Sequence, residues 1–135
     1  MPATEDPITE LLRRAKTIAV VGLSSNPLRA SHGVAAYLQS HGYRIIPVNP
    51  EIREALGERA YPSLLQVPEK IDIVDIFRRP EAVPELVRQA IQLRVPAIWM
   101  QETVVQEAAA EEARQAGILV VMDRCILKEH RARWG

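Results

Sequence analysis

Thr17-Ile18-Ala19-Val20-Val21-Gly22 is apolar after its first residue, rich in β-branched side chains, and closed by a glycine. A continuous apolar run of this length reads as a strand buried on both faces. Burial on both faces requires a layer of helices above the sheet and another below it. Upstream, Asp6-Pro7 reads as an N-cap and first-turn proline, and Ile8, Leu11 and Leu12 give a short opening helix its apolar side. Downstream, a polar loop from Leu23 to Ala30 leads into a helical face of Val34, Tyr37, Leu38 and His41, closed by Gly42.

The alternation continues to the end of the chain. Arg44-Ile45-Ile46-Pro47-Val48 is a second strand, and residues 49–68 are irregular, with one helical turn at Ser63-Leu64-Leu65. Residues 71–77 form a third strand, whose Asp72 and Asp75 suggest a less buried place. Pro80 opens a helix carrying Val83, Leu86, Val87, Ala90 and Ile91, with Pro84 in its first turn. A fourth strand at 96–100 precedes an alanine-rich helix at 104–116, stopped by Gly117. A fifth strand at 118–122 leaves residues 124–135 as a polar tail, open to being part helical. This order predicts an α/β chain: one doubly wound, Rossmann-like domain over residues 1–135 with its opening helix within 1–16. Its parallel five-stranded sheet is expected in the order 3-2-1-4-5, with helices on both faces.

Composition narrows the function classes. The 135 residues carry 17 basic and 17 acidic side chains, so no basic face for nucleic acid is expected. No apolar run reaches membrane-spanning length. Met1-Pro2-Ala3-Thr4-Glu5-Asp6 lacks the basic start and apolar stretch of a signal peptide. The single Cys125 excludes an internal disulfide and a cysteine-rich zinc site, and His32, His41 and His130 lack metal-ligand spacing. These features predict a cytoplasmic protein without a metal. No catalytic constellation is visible, and no homodimer or protein partner is indicated.

In a doubly wound sheet, ligands bind outside the carboxyl ends of the strands, at the switch point beside the first strand. Gly22 permits a sharp exit there, while Ser24, Ser25 and Asn26 offer short hydrogen-bonding groups. Arg29 offers a forked cation for phosphate, and Ser31 stands as a candidate cap of the next helix. The loop has neither the G-x-G-x-x-G fingerprint nor a P-loop ending. After the second strand, Asn49-Pro50 stands where a dinucleotide domain carries an acid for the ribose hydroxyls. After the third come Phe77, a flat wall for a purine, and Arg78; after the fourth come Gln101 and Thr103, the latter a candidate helix cap; after the fifth comes Asp123-Arg124-Cys125.

These pieces taken together resemble a known family. Val20-Val21-Gly22-Leu23-Ser24-Ser25-Asn26-Pro27-Leu28-Arg29-Ala30-Ser31, Gly42-Tyr43-Arg44-Ile45-Ile46-Pro47-Val48-Asn49-Pro50, Phe77-Arg78, Trp99-Met100-Gln101 and Met122-Asp123-Arg124-Cys125 look like the small stand-alone CoA-binding proteins. That family is similar in turn to the CoA-binding domain of the succinyl-CoA synthetase α subunit. The resemblance implies a CoA nucleotide across the switch point. Gly22, Ser24, Asn26, Pro27, Arg29 and Ser31 would then form the phosphate and pantetheine side, and Asn49 and Pro50 would lie beside the nucleotide. Phe77 and Arg78 would flank the adenine, and Gln101 would face the pantetheine path. The chain departs from the family at Thr103, where a glycine is usual, and at Ile126, where proline or another short residue often follows the cysteine.

The expectation is therefore non-covalent binding of CoA or an acyl-CoA, without turnover. An NAD(P)-binding enzyme or redox sensor is the alternative, as is a subunit that delivers CoA to a separate catalytic chain.

Overall fold

The computed structural model describes residues 5–135. The reading of Met1-Pro2-Ala3-Thr4 as free of a signal segment lies outside these residues. Five strands, β1 (Thr17–Val21), β2 (Arg44–Val48), β5 (Ile73–Ile76), β6 (Ala97–Met100) and β7 (Leu119–Val121), form one sheet. They pair in parallel in the order β2-β1-β5-β6-β7. A two-residue-per-strand hairpin, β3 (Glu54–Ala55) with β4 (Glu58–Arg59), lies in the stretch expected to be irregular. Its turn holds Leu56 at φ 56°, a conformation no Asn-Gly pair advertised.

The helices are α1 (Pro7–Arg14), α2 (Ala30–Ser40), α3 (Val83–Leu93), α4 (Glu107–Gln115) and α5 (Ile126–Trp134). Asp6 caps α1 as expected, its carboxylate accepting from the Thr9 N–H at 2.9 Å. The expected helix at 104–116 starts only at Glu107. The expected polar tail is α5, whose Ile126 is fully buried.

Strand alternation divides the core in two. Ala19, Val21, Val74, Ile76, Ile98 and Met100 pack toward α3 and α4. Ile18, Val20, Ile45, Ile73 and Trp99 pack toward α1, α2 and α5. The chain turns from β1 through α2 to β2, then crosses back to β5 on the other side of β1. Right-handed crossovers in opposite directions put their helices on opposite faces, so both faces are covered. Between β1 and β5 the loops diverge, and that is the switch point.

The α/β doubly wound class is as expected. The 3-2-1-4-5 style of order holds once Tyr61, which bridges in parallel to Val48 beyond β2, is counted as the third member. The strand at 71–77, expected in that outer place, sits between β1 and β6. Its aspartates did not mark a less buried position. Asp75 is fully buried and neither carboxyl oxygen has a hydrogen-bond partner among the described residues. Asp72 lies at the strand's start, and its Oδ2 accepts from the Lys16 and Thr17 N–H groups at 2.9 and 3.0 Å.

Candidate functional site

The first loop begins at Gly22, which has φ 87°. A Cβ there would lie 2.3 Å from the Phe77 carbonyl oxygen. The two loops that flank the switch point therefore touch through a residue that has to be glycine. The rest of the loop is stitched by its own polar groups. The Ser24 N–H donates to Ser31 Oγ, the Asn26 N–H to Ser24 Oγ, and the Leu28 N–H to Asn26 Oδ1, each at 3.0 Å. Ser31 is buried inside the first turn of α2 and caps nothing; the N-cap position belongs to Arg29. Thr103 is likewise no cap, because α4 starts after Gln106.

Two cavities open along this edge and share the segment Phe77-Arg78-Arg79 as a wall. The first, of about 600 Å³, lies between Gly22, Arg29, Asn49-Pro50-Glu51 and that wall. It brings three arginines against one glutamate. None of Arg29, Arg78 and Arg79 pairs with a carboxylate among the described residues, so all three remain available to an anion. Asn49 is partly committed: its Nδ2 donates to the Leu23 carbonyl at 3.0 Å and its Oδ1 accepts from the Glu51 N–H at 2.9 Å. One Nδ2 hydrogen remains.

The second cavity, of about 610 Å³, lies beyond the shared wall, over the ends of β5 and β6. Ala30 and Val34 of α2, Pro80, Val104 and Cys125 give it an apolar lining. Gln101 is its buried polar group. Its Oε1 accepts from the Ile126 N–H at 3.1 Å, at the start of α5, while its Nε2 has no protein partner among the described residues.

The structure thus gathers Gly22, Arg29, Asn49, Pro50, Phe77, Arg78 and Gln101 onto the two cavities. Ser24, Asn26 and Ser31 shape the loop, and Ser25 and Pro27 are exposed and line neither cavity. Sequence reasoning missed Arg79, which lines both cavities. It also missed Ala30 and Val34, whose i, i+4 spacing at the start of α2 was the available signal. No helix among the described residues is long and apolar enough to cross a membrane.

The profile of the family described as CoA binding domain matches residues 16–131. The chain belongs to that CoA-binding family. It is 46% identical over 123 residues to the uncharacterized protein YneT of Bacillus subtilis (strain 168), covering 91% of each chain. It is 30% identical over 105 residues to acetate–CoA ligase (ADP-forming) I of Archaeoglobus fulgidus, covering 78% of this chain but 15% of the ligase. Among solved structures, a hypothetical protein from Pyrococcus horikoshii OT3 superposes with a TM-score of 0.92 at 39% identity, over 100% of both chains. A second, from Thermus thermophilus, gives 0.89 at 39% identity, over 93% of this chain and 95% of that one.

Proposed function

We propose that this chain binds CoA or an acyl-CoA non-covalently across the switch point and performs no turnover itself. The nucleotide end occupies the arginine-lined cavity, and the pantetheine arm crosses Phe77-Arg78-Arg79 into the apolar one. One observation carries the reading: two adjacent cavities share an arginine-bearing wall, and away from it one is lined by Arg29, Asn49 and Glu51 and the other mostly by Ala30, Val34, Val104 and Cys125, as the two halves of CoA differ. Arg29 and Arg78 hold phosphates beside Gly22, whose own N–H is spent on the Val48 carbonyl; Asn49 and Pro50 border the nucleotide, Phe77 flanks the adenine, and Gln101 faces the arm. Ser24, Asn26 and Ser31 hold the loop that presents them, on which Ser25 and Pro27 are exposed. A balanced charge and a lone cysteine fit a cytoplasmic setting.

Asn49 in place of a carboxylate leaves the ribose hydroxyls of NAD without their usual acceptor and spares the 3′-phosphate of CoA a repulsion. Calorimetry with CoA, dephospho-CoA, NAD and NADP tests this. CoA is expected to bind most tightly, and tighter binding of NAD or NADP would replace this reading with a dinucleotide one. A second reading, that the chain presents CoA to a separate catalytic chain, draws on its match to a segment of the Archaeoglobus ligase. Co-purification with such a chain would favour it.

A further inference from the structure

We propose that the apolar cavity selects acyl-CoA thioesters with short acyl chains over free CoA. This deepens the CoA reading and rests on it. The first support is volume. The nucleotide end of CoA is the bulkier part and has a cavity of about 600 Å³, whereas the slender arm has one of about 610 Å³. The arm alone leaves room in its cavity.

The second support is position. The nucleotide cavity lies over β2, β1 and the end of β5, and the apolar cavity continues over β5 and β6 to Cys125 after β7. Gln101 and Cys125 are thus farther along the row than the shared wall, where the tip of the ligand arrives.

The third support is chemistry. Gln101 is 5% exposed, and the Ile126 N–H fixes its Oε1, which fixes its Nε2 as the end left over. That amide donor is not among the buried unpaired atoms and keeps access to the cavity, so a ligand acceptor replaces water there. The thiol of free CoA is a weak acceptor, and a thioester carbonyl is a strong one. Val34, Val104 and Pro80 offer apolar surface to the acyl chain beyond that carbonyl.

Calorimetry on the full chain with CoA, acetyl-CoA, butyryl-CoA and palmitoyl-CoA tests the proposal. Acetyl-CoA is expected to bind about threefold to tenfold more tightly than CoA, as one buried hydrogen bond allows. Each further methylene adds about fourfold until the cavity is full, so palmitoyl-CoA loses the gain. Gln101→Glu keeps an acceptor for the Ile126 N–H and removes the donor, so the acyl preference is expected to vanish while the fold survives. Ala30→Leu, at an exposed first-turn position, narrows the same cavity and is expected to cut butyryl-CoA binding more than CoA binding. Equal or tighter binding of CoA than of acetyl- and butyryl-CoA overturns the acyl selection and leaves the CoA reading standing. No binding of any of the four overturns both.

Discussion

Arg44, at the start of β2, reaches Glu58 and Glu69 at 2.6 Å each, while Arg29, Arg78 and Arg79, beyond the other ends of the strands, pair with no carboxylate among the described residues. The carboxyl edge has committed groups too, such as Lys128 on Glu102 at 3.1 Å, but its cavity-lining arginines are left free. At the amino edge Asp72 ties down the start of β1, and Tyr43 donates its hydroxyl to the Leu12 carbonyl. Arg133 joins α5 to Thr9 at 2.6 Å and to Asp6 at 3.3 Å. Asp6 is held down to about 2, first by its bonds from Thr9. His130, in the same region, stands 2.8 Å from the Tyr37 hydroxyl and is held below its ordinary value by burial and then by His41. The carboxyl edge instead keeps free cations and an unspent Gln101 amide nitrogen. Groups committed to one another hold a fold together, and groups left free are available to a ligand.

Glycines break the comparison most severely. Gly22 at the carboxyl edge and Gly42 near the amino edge both have positive φ, 87° and 94°. Only Gly22 is also crowded, since nothing lies within 4 Å of a Cβ on Gly42. Gly22→Ala is expected to cost about 3 kcal/mol or more, because strain and the Phe77 carbonyl clash add. Gly42→Ala is expected to cost about 1 kcal/mol, from the backbone alone. Urea unfolding of both variants measures the gap, and equal costs would mean that the loops do not press on Gly22.

The arginines sharpen it. Arg29→Ala and Arg78→Ala should each weaken CoA about ten- to hundredfold, the worth of a charge-assisted contact of about 1.5–3 kcal/mol. Stability should stay within about 0.5 kcal/mol, as neither side chain holds the fold. Arg44→Ala should do the reverse, leaving CoA affinity intact and costing under about 1 kcal/mol of stability, because its ion pairs are exposed. Calorimetry and urea midpoints on the same three variants check both halves. A loss of stability in the first two with unchanged affinity would reverse the roles given to the edges.

Much of this division was legible in the residues. The apolar run Thr17–Val21, the Asp6 cap and the glycine stops at Gly42 and Gly117 each rest on local chemistry, which a sequence displays directly. The partners of a strand are not local, so the 71–77 strand gave no sign that it would sit between β1 and β6. Its aspartates read as exposure because a charged residue is rarely buried unpaired. Asn49 and Ser31 were identified as polar groups beside the site; the bonds to Glu51 and Ser24 are local, but the one Asn49 spends on Leu23 arises only when loops distant in sequence meet.

Asp75 makes that gap testable. Burial alone holds its carboxyl well above the ordinary carboxylate range, so the folded chain keeps its proton where an unfolded chain has lost it. Its contribution is fully present below the unfolded value near 4 and is lost as pH rises from there through the folded value. The loss is at most about 1.4 kcal/mol per pH unit for one proton. Asp75→Asn keeps the shape and removes the titration. Relative to that variant, the native chain is expected to weaken in urea as pH rises above the unfolded value near 4. Parallel profiles would mean that Asp75 is already ionised in the fold. This effect belongs to the middle of the sheet and should leave the order of ligand preference unchanged.

The smallest expected effect concerns strain at the carboxyl edge. The Val104 N–H donates to the Gln101 carbonyl at 2.9 Å, closing a four-residue turn whose third residue is Thr103. With φ 72°, Thr103 has the backbone that a type II turn demands at that place, where glycine or asparagine is favoured. A β-branched side chain there is strained, and the bond from the Thr103 N–H to Asp123 Oδ1 at 2.7 Å helps to hold it. Thr103→Gly removes the strain but gives the unfolded chain more freedom, so the two effects partly cancel. A net gain of about 1 kcal/mol is expected, read as a rise of a few degrees in Tm. Thr103→Ala keeps a Cβ in the left-handed region and should gain less. If Thr103→Gly were instead less stable than the native chain, the threonine side chain would be making contacts worth more than its strain. The carboxyl edge would then be committed at this point much as the amino edge is.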